Sequence, residues 1–294
     1  MTTTASPATV AAPRARRFRI TGPLVGTVLV GIVVLFCLLY PLLPGYDAYT
    51  QNLDKMLLGP LTDPAHPLGT DALGRDEASR LALAGRITLG IVVAIVAVNA
   101  LIGLVIGTSA GYLGGKVDTV LMGWADVQLA LPVILVLIAL SAALGPSVWL
   151  MIIVLAATYW VGYARVARGT ALSLRERDFV IAPRIQGASR WWTARKHIMP
   201  NVAVQILILA STDIGGVMLL TSSFDFLGLG VQAPTPSWGL MISEGQKYIR
   251  QAPHLALVPG IAIFLVIIGT NLISQRFTAE GSALFRIAKK GKRA

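Results

Sequence analysis

Apolar residues gather in six blocks, at about residues 20–43, 87–113, 119–144, 148–164, 202–222 and 255–274. A helix rises 1.5 Å per residue, so about 20 apolar residues cross the roughly 30 Å hydrocarbon core of a bilayer. Five blocks reach that length and 148–164 falls slightly short. Lipid offers backbone amides no water, so each crossing must satisfy its own hydrogen bonds as a helix. The pattern predicts an all-α, polytopic membrane protein with six transmembrane helices. Charged residues make up only 13% of the chain, against about 25% in soluble domains.

Basic residues orient the spans. Residues 1–19 form a Thr/Ala/Pro-rich tail ending in Arg14, Arg16, Arg17 and Arg19. A basic stretch before an apolar one mimics a secretory signal, but this apolar run is too long and lacks a small-residue cleavage site, so it reads as a retained span. With the N-terminus in the cytoplasm, both termini, the 113–118 turn and the 165–200 loop face inward and hold 19 of the 25 basic residues. That satisfies the positive-inside rule, and the reverse orientation breaks it. The net charge of +11 is therefore a topology signal and implies no nucleic-acid partner. Membrane lipid is the expected one, with Lys289, Lys290, Lys292 and Arg293 placed near anionic headgroups. The expected organisation is a cytoplasmic tail over 1–19, then the first span and an extracytoplasmic segment over 20–86. A five-helix core over 87–275, with the loop 165–200, precedes a basic cytoplasmic tail over 276–294.

Catalytic and metal chemistry find little support. Cys37, the only cysteine, lies in an apolar block and reads as a buried, inert thiol. His66, His197 and His254 match no metal-ligand spacing, so no metal site is expected. No G-x-x-x-x-G-K-[ST] motif occurs, so the chain should not hydrolyse ATP itself. An intramembrane hydrolase would need a Ser–His pair, a metal motif or two aspartates at one depth. Asp126 and Asp213 fall at different depths of their spans, and no H-E-x-x-H occurs. A free-standing channel or secondary carrier fits the spans alone.

A charge at mid-bilayer costs about 2.5–3.5 kcal/mol on insertion scales, so such groups face protein or water. Asp213 is the preferred pathway-lining residue, with pairing inside the bundle or protonation as alternatives. Asp126 falls toward the cytoplasmic end of its span. Gly103, Gly107 and Gly111 stand four apart, which lets helix backbones approach closely, within this subunit or against a partner.

The longest charged stretch, 175–201, reads RERDFVIAPRIQGASRWWTARKHIMPN. Ile181, Ile185, Ala188 and Trp192 recur at helical spacing. Pro183 disfavours helical geometry at Ala182, so a helix is expected to restart at Pro183. Gly187 suits a left-handed stop, and Ser189 suits the cap of a second short helix. The segment reads equally as a compact knob or as a membrane-surface amphipathic helix.

Ala182, Gly187, Ile198 and Pro200 stand where the EAA loop of ATP-binding-cassette importer permeases has its landmarks. Two further segments, 66–89 (HPLGTDALGRDEASRLALAGRITL) and 226–239 (FLGLGVQAPTPSWG), are similar to the C-type permease subunit of dipeptide and oligopeptide importers. Asp71–Arg75 and Asp76–Arg80 in the first suit a short exposed helix. The second is expected to be irregular and to line the outer side or a cavity. The resemblance covers about residues 20–280. It implies the type I importer permease fold with a cytoplasmic coupling helix, in a bacterial cytoplasmic membrane. Ala182, Pro183, Gly187, Ala188, Ser189, His197, Ile198 and Pro200 would form the ATPase-coupling loop. The implied partners are a second homologous permease subunit, two ATPase subunits that use the ATP, and an extracytoplasmic substrate-binding protein. This chain would bind no cofactor. The implied cargo is di- and oligopeptides, with nickel chelates, haem or glutathione carried by similar machinery. Two departures stand out. Pro183 replaces the second alanine of the usual Ala-Ala pair, and Thr221, with Asp213 a candidate for the translocation path, stands where many relatives have glutamate.

Overall fold

The computed structural model describes residues 21–290. The 1–19 tail, Ile20, Lys292 and Arg293 lie outside the described residues. The 276–294 tail is helical backbone as far as Lys290.

The helices are α1 (Thr21–Leu39), α2 (Glu77–Leu113), α3 (Gly115–Leu129), α4 (Val133–Leu144), α5 (Val148–Leu174), α6 (Asp178–Ile185), α7 (Arg190–Thr193), α8 (Met199–Phe226), α9 (Trp238–Gln246) and α10 (His254–Lys290). Five helical segments are long and apolar enough to cross a membrane, and α3 with α4, taken as one broken span, supplies a sixth. The all-α, multi-span expectation therefore stands, with the third crossing corrected. It is two helices bent by 74°, not one continuous span over 119–144. Pro132 is the cause: it has no amide to donate, and its ring disfavours helical backbone at Leu131.

Two other boundaries move outward. The second long helix starts at Glu77 rather than near residue 87, so the expected boundary between 20–86 and 87–275 falls inside a helix. Asp76 caps that start by accepting the Ser79 amide at 2.8 Å. The helix of the fourth crossing continues to Leu174, ten residues past the expected end of the apolar block at 164. Polar residues disguised both extensions. Arg80 finds a carboxylate far along the chain, and Arg165 and Arg168 find Asp126 and Asp118 on α3.

Small residues set the central packing. A Cβ at Gly103 would collide with Tyr163, at Gly107 with Ala164 and Ala167, and at Gly111 with Arg168 and Ala171. All three glycines thus bring α2 against α5. On the far side, Gly26 of α1 meets Gly269 of α10 in the same way. Arg86 on α2 donates to the Cys37 and Leu38 carbonyls at 2.7 and 2.8 Å, satisfying the end of α1. Cys37 is buried, and a Cβ at Gly85 would collide with its sulfur and with the Trp238 ring.

Candidate functional site

At one end of the bundle, α6 leaves the membrane helices and returns as α7. Its first turn carries Asp178, favourable at the positive end of the helix dipole. Val180 is fully buried and ties α6 to the core. The expected restart at Pro183 is not what forms. Pro183 lies inside α6, and Ala182 is helical. Burial of Val180 and a closed C-terminus hold the helix on both sides of the proline, which outweighs the local preference at Ala182.

That C-terminus is a Schellman motif. The Ala188 amide donates to Pro183 O at 2.9 Å and the Gly187 amide to Arg184 O at 3.1 Å. Gly187 holds φ of +90°, where only glycine is unstrained, so the expected left-handed stop is present. Ser189 then accepts the Trp192 amide at 3.2 Å and caps the next helix. This second helix is not a separate short element. From Arg190 it passes through π-helical backbone at Ala194–Ile198 into α8, giving one 37-residue segment as far as Phe226. The loop expected over 165–200 therefore shrinks, with α6 as its only free-standing helix.

The apolar periodicity is likewise cut at Gly187, so Ala188 and Trp192 do not extend the face begun by Ile181 and Ile185. What results is a cluster of apolar side chains left uncovered by the described residues: Ile185 is 81% exposed and Trp191 71%. Ile181, Phe179 and Trp192 are exposed beside them. His197 lies half-buried behind, its ring 5.3 Å from Trp192 and 6.3 Å from Phe179. Lys196 stands 5.1 Å over the Trp192 ring. Ile198 is wholly buried, and Pro200 is exposed in the first turn of α8, where a missing amide costs nothing.

The break between α3 and α4 borders a cavity of about 440 Å³. Gln128, Leu131, Thr158, Tyr159, Tyr163 and Asp213 are among its lining residues. Asp213 is half-buried and accepts a hydrogen bond from the Tyr163 hydroxyl at 2.9 Å. Thr221 is elsewhere: buried, with its hydroxyl turned back to Met218 O at 3.1 Å. Asp126 also lies off the cavity lining, in an exposed 2.7 Å pair with Arg165.

The opposite end contains a buried cluster of which sequence reading found only the Asp71–Arg75 pair. Arg75 pairs with Asp71 at 2.6 Å, and Arg80 reaches Glu244 at 2.8 Å and Asp71 at 3.4 Å. Arg75, Arg80, Asp71 and Glu77 are all buried. The expected Asp76–Arg80 pair on an exposed helix does not form. Asp76 is a helix cap beside His66, at 3.1 Å, and Arg80 turns to α9. Glu244 is 164 residues from Arg80, beyond the reach of any spacing argument. The 226–239 segment is mostly irregular, as expected, and folds onto 66–89. Trp238 donates from its indole to Leu81 O at 3.1 Å and from its amide to Thr88 Oγ1 at 3.2 Å. Asp225, also buried, accepts the Val231 amide at 2.8 Å and braces the turn. The two motifs noted separately in the sequence thus build one structure.

Among the described residues no group of three His, Cys, Asp or Glu side chains is placed to hold a metal ion.

Residues 103–279 match the family described as binding-protein-dependent transport system inner membrane component. The nickel transport system permease protein NikC of Escherichia coli (strain K12) is 40% identical over 230 residues, 78% of this chain and 82% of that protein. The glutathione transport system permease protein GsiD of Pectobacterium atrosepticum is 36% identical over 231 residues, 78% of this chain and 76% of that protein. The dipeptide transport system permease protein DppC of Alkalihalophilus pseudofirmus is 34% identical over 252 residues, 86% of this chain and 82% of that protein. A helical bundle with a free-standing helix at one end, matched along most of its length by such proteins, belongs to the binding-protein-dependent transport system inner membrane components, the permease subunits of importers.

Proposed function

We propose that this chain forms half of the translocation pore of an ATP-driven importer and that α6 is its coupling helix. The observation that carries this is the uncovered apolar cluster on and beside α6. Ile185 and Trp191 are exposed, flanked by Arg184, Arg190 and Arg195, while Val180 and the unbroken run from Arg190 into α8 anchor the cluster to the membrane helices. Exposed apolar surface rimmed by charge marks a protein-binding site. A push on α6 from an ATPase would pass through α8 and rock the bundle between inward- and outward-open states. The distribution of basic residues supports placing α6 and both termini in the cytoplasm, and relatives such as the Escherichia coli nickel permease support a bacterial membrane.

The complete machine would contain a second homologous permease subunit, two ATPase subunits and an extracytoplasmic binding protein. This chain would contribute no catalysis and hold no cofactor, the ATP being spent by its partners. The proposed cargo is a di- or oligopeptide. A nickel complex is the second reading, favoured by the higher identity to the nickel permease.

Uptake of labelled short peptides and of nickel in cells lacking the chain, with and without complementation, tests both. Gly187→Arg is the accompanying control. Nothing lies within 4 Å of a Cβ at that position, so the first side-chain atom meets no clash, but φ of +90° strains any non-glycine residue and the charge is added beside α6. The variant should insert normally and lose ATP-dependent uptake; normal uptake at normal expression refutes the coupling assignment. Nickel uptake alone would retain the mechanism and replace the peptide.

A further inference from the structure

The geometry points to the Asp213 cavity as a cation-selective subsite, which we propose receives the positively charged amino group of the cargo as it crosses. This rests on the permease reading above and adds the chemistry of the cargo. Asp213 lies in α8, within a segment apolar enough to span the membrane, and borders a cavity of about 440 Å³. Its hydrogen-bond partner is the neutral Tyr163 hydroxyl. Among the described residues no lysine, arginine or histidine pairs with it, and none lines the cavity. The contrast with Asp118 and Asp126 is direct, since each of those has an arginine from α5 at 2.5–2.7 Å.

A carboxylate in a membrane span without a counter-charge lacks the compensation such groups require. A passing ammonium supplies it. The remaining lining suits the same guest. Tyr159 and Tyr163 bring aromatic rings to the lining. Gln128 Oε1, which accepts the Trp160 indole at 3.0 Å, and Thr158 Oγ1, which donates to Val154 O at 2.7 Å, each keep a lone pair for an N–H group. An anionic guest would meet Asp213 with no basic side chain to offset it. The cavity also abuts the bend between α3 and α4, so a change in that 74° angle would open or close the subsite.

The test uses the complete importer in membranes, with Cys37→Ala and a single reporter cysteine at Thr158. Labelling by a cationic methanethiosulfonate is compared with labelling by an anionic one of similar size. A cavity of one charge sign enriches counter-ions by about tenfold or more. Relative to the rates of the same two reagents with a free thiol, the cationic reagent should therefore be favoured at least about tenfold, and Asp213→Asn should remove that preference. Equal rates for both reagents, or a preference that survives Asp213→Asn, overturns the proposal. Excess free-amino dipeptide should slow the cationic reaction, whereas the N-acetylated peptide should not. Protection by nickel alone would replace the amine by a metal cation and overturn the amine assignment. Failure of the α6 coupling reading would instead appear as normal ATP-dependent uptake in Gly187→Arg, a result that leaves the labelling preference untouched, so the two readings fail separately.

Discussion

At the α9 end, Arg75 and Arg80 are buried among Asp71 and Glu244, so the chain answers most of its own charge there, although Arg80 Nη1 and Glu77 Oε1 are buried without a hydrogen bond. At the α6 end, Ile185 and Trp191 are exposed over most of their surface, with Trp192 partly exposed beside them. Both ends connect through α2 and α8 to the same helical core, yet one is closed and the other is left open. The difference separates what a subunit needs to fold from what it keeps for others. A buried ion cluster fixes geometry and is costly to break, whereas an exposed apolar cluster can be altered with little effect on stability until a partner is present.

Arg80→Met breaks this comparison most directly. Removing one partner of a buried ion pair costs about 3–5 kcal/mol, because the abandoned charges stay buried. Glu244 retains partial access to solvent, so the lower end of that range is expected. Thermal unfolding in detergent should show a large drop in midpoint, and an unchanged midpoint would mean the cluster is not structural. Ile185→Glu should do the opposite. Its midpoint should match wild type, while binding-protein-stimulated ATPase activity and uptake fall by at least about tenfold, as expected when a hot-spot contact of about 2 kcal/mol is lost. A drop in stability without uncoupling would reverse the roles assigned to the two ends.

Ser189→Ala sharpens the contrast within the α6 end. It deletes the cap on the Trp192 amide, worth about 1 kcal/mol, and should slow transport a few-fold. Hydrogen exchange at residues 190–193 should rise, with the α9 end unchanged.

The smallest effect belongs to Asp63, in the segment between α1 and α2. The Lys55 ammonium, at 2.6 Å, and then the Ala65 amide hold its carboxyl below the usual carboxylate range. A depressed carboxyl contributes stability above its unfolded pKa, near 3.9, and loses it as the pH falls through the folded value. Asp63→Asn should therefore leave the unfolding midpoint almost unchanged at pH 7. The small wild-type advantage there should vanish only on acidification below about pH 4, which a midpoint-versus-pH series would record.

Legibility differed from element to element. The Gly187 stop and the Ser189 cap were readable because each depends on residues within a few positions. Pro183 misled because its local preference is weak beside the burial of Val180, and burial is invisible in one dimension. Asp213 stood out as a charge in an apolar block, but its cavity depends on the bend at Pro132 and on Tyr163 from another helix. The Arg80–Glu244 pair had no signature at all, because its partners are 164 residues apart.

By itself the sequence determined that this is a multi-span helical membrane protein with a capped, basic segment between its fourth and fifth crossings. Apolar length, proline and glycine positions and local caps act through the chain's own backbone, so they can be read in order. Only the tertiary structure decided that the third crossing bends and that the 66–89 and 226–239 segments lock together. It alone left the α6 cluster uncovered and Asp213 without a cation among the described residues. Those outcomes depend on which helices share a face, and packing in three dimensions is not ordered along the chain.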